Sequence, residues 1–329
     1  MGCCINFAPI MRMPRIPRLF KSKSRIDGRL AIGLGASGVY LAKVKLVGGM
    51  PCVLRCEYHE TGALSAASLD KLRRAANLDE GGCITLLAPG EYQLSLVDAP
   101  NVPPEELKTA IRWKIKDNLL YPVDEAMIDV LQIPSSKFGG AERAQSVYAV
   151  SAASDIIRKR VEMFHQAGME LAVIDIPEMA QRNVAMPFEQ EGRALALLAF
   201  DDHGGLLTFT AGGELYLARR IEVSVGQLRE ASDHLREQYR GRVELELQRS
   251  LDYFDRQFNH LPVNRVLVSV PDDTGLIEFL ASVSDASVEK LDLSQAMDIS
   301  AVAELEDSEF VARVLPTLGA ALRQEGGRQ

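Results

Sequence analysis

From residue 30 onward the apolar positions fall into short blocks set off by glycine-rich turns. Residues 30–34, 39–47 and 52–58 read as three strands, with Gly35-Ala36-Ser37-Gly38 and Gly48-Gly49-Met50-Pro51 as the turns between them. The period then changes. Leu69, Leu72 and Ala76 recur at helical spacing over 66–76, and residues 84–88 form a short apolar run of strand length. The predicted order is β-β-β-α-β. It returns further along: 194–200, 206–210 and 215–221 read as strands around the turns Asp201 to Gly205 and Ala211-Gly212-Gly213. Helical text over 225–260, interrupted near Gly241, then leads to a strand at 266–270.

Between the two runs lies additional material. Val102-Pro103-Pro104 opens a helix over 104–119, which Tyr121-Pro122 ends, and strands at 127–132 and 145–150 flank a polar, glycine-bearing stretch at 134–143. A helix at 154–167, a strand at 172–176 and a helix at 177–184 complete the first run. A last helix at 307–323 carries Phe310, Val314, Leu315 and Leu318 on one stripe. An internal repeat of a supersecondary unit is a stronger signal than any single motif. Two β-β-β-α-β halves predict a duplicated ribonuclease-H-like, or actin-like, α/β fold. The expected division is a basic leader at 1–28, a first half at 29–187 with a small α/β subdomain inserted at about 96–150, and a second half at 188–329.

Composition adds exclusions. A net charge of −8 gives the body no basic field for nucleic acid, so no nucleic-acid partner is expected. The leader departs from this, with Arg12, Arg15, Arg18, Lys21, Lys23, Arg25 and Arg29 against Asp27 alone, a balance that favours an anionic surface or plain solvation. No apolar run reaches the roughly 18–20 residues of a membrane span, so the chain is expected to be peripheral and not integral. Cys3, Cys4, Cys52, Cys56 and Cys83 make no disulfide framework, which fits a reducing cytoplasm. The five histidines show no metal-ligand spacing, and no metal site is expected.

Several segments resemble the PilM-like family of type IV pilus assembly proteins, and within it most nearly the biogenesis proteins I of mannose-sensitive haemagglutinin (MSHA) pili. They are the hairpin Ala31 to Val39; the helix text Pro104-Glu105-Glu106-Leu107-Lys108-Thr109-Ala110-Ile111-Arg112-Trp113 with Tyr121-Pro122-Val123-Asp124-Glu125; Ala167-Gly168-Met169 with the stretch Val173 to Ala180; and the stretch Gly213 to Ile221. The resemblance covers about residues 29–325 as an order of degenerate motifs. It implies a scaffold on the cytoplasmic face of the inner membrane, bound to the short cytoplasmic N-terminal tail of a bitopic PilN-like protein. Other proteins of the assembly platform are expected as further partners. The groove for the tail is expected beside the insert, with Leu107, Ile111, Trp113, Leu119 and Tyr121 as contact residues. Periodicity singles out Trp113, which lies about 240° around the helix from Leu107 and so leaves the core stripe, either for a partner contact or to pack under the insert's own strands.

An ATPase of this fold needs acidic residues to hold Mg²⁺ and open backbone N–H groups to cradle phosphates, because a polyanion must be neutralised before it is positioned. The family pattern sets Asp-x-Gly at the first hairpin, and here Gly33 stands in the Asp position. At the second hairpin Asp202-His203-Gly204 does spell the pattern, with Thr208 at the expected distance. Residues 268–273 replace a Gly pair expected near the adenosine. Gly35, Ala36, Ser37, Gly38, Asp202 and Gly204 are therefore the nucleotide-site candidates. The expectation is no catalytic residues, no turnover and no cofactor, with an active Mg²⁺-ATPase as the alternative and a membrane-associated filament former as the second.

Overall fold

The computed structural model describes residues 28–78, 81–134 and 146–324. The leader 1–27, most of the stretch at 134–143 and the last five residues lie outside the described residues.

Three antiparallel strands open the chain: β1 (Arg29–Leu34), β2 (Gly38–Val47) and β3 (Met50–Glu60). Helix α1 (Ala66–Ala75) starts where the Ser65 side chain accepts from the Ser68 backbone N–H, with the Ser68 hydroxyl facing back to Ser65 in a capping box. It leads to β4 (Cys83–Leu86), which pairs parallel to β1. The chain then leaves the sheet for β5 (Tyr92–Asp98), α2 (Pro104–Ile115), β6 (Ala126–Gln132) and β7 (Ser146–Ala153). It returns through α3 (Ser154–Gln166) to β8 (Leu171–Asp175), which closes a five-stranded sheet of order β3-β2-β1-β4-β8.

After α4 (Pro177–Ala185) the same plan repeats. Strands β9 (Ala194–Asp201), β10 (Gly204–Ala211) and β11 (Glu214–Ile221) are antiparallel. Helices α5 (Val225–Leu228) and α6 (Asp233–Gln257) lead to β12 (Val263–Ser269), parallel to β9. Helix α7 (Leu276–Val283) and strand β13 (Ser287–Lys290) complete a second sheet, β11-β10-β9-β12-β13, with the order of the first, and α8 (Ser308–Ala321) ends the described chain.

The two sheets share a core. Alternate residues of β9 face opposite ways: Leu195 and Leu197 join Ala31, Ala42, Ile84 and Leu86 of the first sheet around α4 and α8, while Ala196, Leu198 and Phe200 face α6 and α7. Burial on both faces explains why β9 reads as an unbroken apolar run. Helices α4 and α8 touch backbone to side-chain space: a Cβ on Gly319 would lie 2.2 Å from the Ala180 carbonyl oxygen, so only glycine admits this approach.

Three expectations need correction. The inserted subdomain is a three-stranded sheet, β5-β7-β6, backed by α2, and it spans 92–153 instead of 96–150 because Tyr92–Asp98 pairs along the whole of β7. The helical break falls at 229–232, between α5 and α6, and α6 runs straight through Gly241, where a single glycine costs only about 1 kcal/mol against alanine. Strand β13 has no counterpart in the expected elements, since Ser-Val-Glu-Lys carries too little apolar signal to be read alone.

Candidate functional site between the two halves

A cleft of about 300 Å³ opens between the halves. The β1–β2 turn and the β9–β10 turn face each other across it, and α4 and α8 form its floor through Gln181, Ala312, Pro316 and Thr317. Of the six nucleotide-site candidates, Gly35, Ala36, Ser37, Asp202 and Gly204 line this cleft. Gly38 does not. Its Cβ position is 2.4 Å from the His59 carbonyl oxygen and 2.6 Å from the Tyr58 hydroxyl oxygen, so this glycine makes room for neighbours of its own sheet.

The first turn is occupied by protein. Gly35 N–H donates to the Gly38 carbonyl at 2.8 Å, and the Ser37 and Tyr58 hydroxyls are 2.9 Å apart. The Tyr40 and Tyr58 rings pack together beneath it with centroids 4.9 Å apart, and a Cβ on Gly35 would sit 3.2 Å from the Tyr40 ring. At Gly33 a Cβ would fall 2.0 Å from Thr317 Oγ1 on α8. The space a carboxylate would need there is filled from the C-terminal helix.

The second turn is built differently. Asp201 accepts from the backbone N–H groups of His203 (2.8 Å) and Gly204 (3.1 Å), an Asx-type cap that leaves Asp202 and His203 exposed. Gly204 has φ 138°, which favours glycine. Thr208 does not reach the cleft as a ligand: it is fully buried, with Oγ1 3.0 Å from Gln181 Nε2, and the same amide lies 2.7 Å and 2.9 Å from the carbonyls of Leu197 and Leu206. Burial raises the Tyr40 pKa, Arg313 opposes the shift, and Asp202 and Asp201 add to it, so one cation and two carboxylates act on this phenol across the cleft.

The region 268–273 takes no part in the cleft lining. Val270 is packed in the second half's own core, and Asp272 and Asp273 pair with Lys290 (2.7 Å) and Arg229 (2.8 Å). Among the described residues no group of His, Cys, Asp and Glu is placed to hold a metal.

A polar network missing from the expected site joins three elements at the cleft's inner side. Tyr92 of the insert donates to Glu178 Oε2 of α4 at 2.5 Å, and Arg220 of β11 donates to Tyr92 Oη at 2.7 Å and to Glu178 Oε1 at 3.0 Å. Burial, with Glu178 beside it, raises the Tyr92 pKa far out of its ordinary range. Burial also works against the Arg220 charge, and Glu178 and Tyr92 outweigh it, raising that pKa. Next to this, the Ala218 N–H donates to the Tyr148 hydroxyl at 3.0 Å, and Ile133 and Tyr148 of the insert pack on Leu215. The insert therefore bridges the halves. No period or motif marks Tyr92 and Glu178 for this role; only their sheet and helix positions bring them to Arg220.

The expected contact residues on the insert divide in two. Ile111 is fully buried, and Leu107, Leu119 and Tyr121 are half-buried in the same cluster with Ile115, Ile128 and Val147. Ile111 has no surface to offer and is withdrawn from the contact set, because the α2 stripe is spent against the β5-β7-β6 sheet. Trp113 is 57% exposed, and Leu120, absent from the expected set, is 86% exposed. Both stand on the insert outside its core.

No protein-family model and no curated protein matches the sequence. Solved structures do match its fold. The chain is similar to a PilM–PilN type IV pilus biogenesis complex, with a TM-score of 0.68 at 18% identity over 91% of this chain and 98% of that one. The fold is the duplicated actin-like one. Weaker likenesses are to the cytoplasmic domain of EpsL, an inner membrane component of the type II secretion system of Vibrio cholerae (TM-score 0.48, 14% identity, 81% of this chain and 93% of that chain), and to a Bacteroides thetaiotaomicron protein with an actin-like ATPase fold (0.46, 10%, 88% and 99%). Among the described residues, no helix is long and apolar enough to cross a membrane.

Proposed function

We propose that this chain is a PilM-like scaffold of a type IV pilus assembly platform, of the MSHA kind. It sits on the cytoplasmic face of the inner membrane and grips the cytoplasmic N-terminal tail of a bitopic PilN-like protein. The observation that carries this reading is the near-complete coverage of both chains in the PilM–PilN likeness, 91% of this chain and 98% of that one. Trp113 and Leu120 support it, because large apolar side chains that leave a subdomain's core stripe are anchor-type residues for a peptide.

The cleft works as a structural joint in this reading and does not turn over ATP. One candidate carboxylate remains where the fold's nucleotide chemistry asks for two, and Thr317 fills the place of the other. The alternative is an active actin-like ATPase, favoured by the opposed turns with Asp202 and Arg313 on the cleft walls. The two readings separate in one pair of measurements. Titrating the N-terminal tail peptide of the PilN-like protein should give saturable binding by calorimetry, and Mg²⁺-ATP should leave the melting temperature unchanged. A ligand confined to the native state raises that temperature by mass action, so a clear Mg²⁺-ATP shift without peptide binding would replace the scaffold by the enzyme.

A further inference from the structure

We propose that the β2–β3 hairpin tip is a membrane-contact element that inserts apolar side chains into the interface of an anionic bilayer. Strands β2 and β3 stay paired out to Val47 and Met50, and Gly48 and Gly49, with φ of 60° and 90°, close the turn. A Cβ on either glycine would meet nothing within 4 Å, so the tip projects into open space. On it Leu46, Val47 and Met50 are 49%, 50% and 50% exposed. No other stretch of five described residues presents three large exposed apolar side chains, so this is a patch and not the scattered exposure common on protein surfaces.

Charge selects the occupant. In a chain with 45 acidic residues, the first 56 positions hold Asp27 alone, against ten Lys and Arg. Three of these cations, Arg29, Lys43 and Lys45, belong to β1 and β2, and Arg29 lies opposite Val44. Asp298 is the acidic residue bonded to this hairpin through its backbone, to Val53 N–H and the Pro51 carbonyl, and its carboxylate accepts from the Ser300 N–H and hydroxyl. An apolar tip with Lys45 and Lys43 behind it on β2 and Arg29 beside Val44 matches a headgroup layer that is anionic outside and apolar a few ångströms down, and the acidic residues Asp292, Asp298 and Glu306 stand only on the Met50 side.

The element adds a direct lipid contact to the proposed membrane location. Its test contains no partner protein, so its failure would leave the peptide-binding reading untouched. Full-length protein is sedimented with phosphatidylglycerol-containing vesicles and with pure phosphatidylcholine vesicles. The expected result is binding to the anionic vesicles only, weakening as salt rises. In V47S/M50S the partition coefficient should fall by about tenfold with an unchanged melting temperature, since serine removes the inserting surface without adding repulsion. Three results would overturn the proposal: no sedimentation with either vesicle, V47S/M50S binding as well as the parent chain, or a self-association that V47S/M50S abolishes in the absence of any vesicle binding.

Discussion

The β1–β2 and β9–β10 turns occupy equivalent places in the two halves and are filled in opposite ways. At the first, glycines are required by crowding. Gly33 yields to Thr317, Gly35 to Tyr40 and Gly38 to Tyr58 and His59, and none of the three has a left-handed backbone. At the second, Gly204 is required by its own φ of 138° as well as by the Ile221 carbonyl oxygen, 2.7 Å from its Cβ position, Asp201 is consumed in capping the turn, and Asp202 stays exposed on the cleft wall. A glycine-rich turn thus carries two different physical meanings in one chain. Only the second leaves a carboxylate facing the cleft, and the asymmetry comes from α8, which belongs to neither hairpin.

The strongest way to separate the halves is alkaline pH, because the buried cysteines Cys52, Cys56 and Cys83 all lie in the first one and the second has none. Burial pushes the Cys56 and Cys83 thiols up to about 12 in the folded chain. The unfolded chain releases those protons from about pH 8.5, so stability falls as pH rises from there toward about 12, by about 1.4 kcal/mol per pH unit for each thiol. By pH 10 calorimetric unfolding should show a loss of about 4 kcal/mol, with hydrogen exchange quickening first in β3 and β4. A C56A/C83A chain should lose much less over the same range; equal loss would place the alkaline weakness elsewhere.

Restoring a carboxylate to the first turn tests whether packing removed it. Gly33→Asp should destabilise by about 2 kcal/mol through overpacking on Thr317, and G33D/T317A should recover most of that in the melting temperature. If Mg²⁺-ATP then stabilises the double variant and not the parent, the comparison of the two turns accounts for the silent cleft. Trp113→Ala should weaken binding of the PilN-like tail by about thirtyfold, roughly 2 kcal/mol, with little change in melting, since more than half of the side chain is exposed. The smallest contrast lies within the second turn. Asp201→Ala should lose about 1 kcal/mol with the cap, while Asp202→Ala should stay within about 0.5 kcal/mol and leave tail binding intact, as denaturant titration and calorimetry would show.

Much of the fold was legible because its signals are local. Glycine turns and strand alternation mark β1 to β3, and β9 to β11 repeat them, so the duplication can be read without any contact being known. Strand β5 carries a Tyr-x-Leu-x-Leu alternation, but it stands alone, between a loop and a proline-rich helix start, and only pairing with β7 gives it a role. The site was legible in part. Asp-x-Gly marks the second turn, and Trp113 leaves its helical stripe. The Tyr92–Glu178–Arg220 network had no such mark, since its members are separated by 86 and 128 positions and meet only when the insert folds onto the second half.

By itself the sequence determined the two β-β-β-α-β units, the insert between them and the basic start, since period, turn chemistry and charge all act over a few residues; the missing acidic position at Gly33 is legible only against the family pattern the chain resembles. The tertiary structure alone decided what those features do. It set Thr317 in the place of a carboxylate and tied the insert to both halves through the hydrogen bonds of Tyr92 to Glu178 and Arg220. It spent Ile111 on a core while leaving Trp113 outside, and it set Arg29 opposite Val44 on the strand that carries the apolar hairpin tip. Those outcomes depend on which surfaces of distant elements exclude water from each other, and that is fixed by packing in three dimensions and not by spacing along the chain.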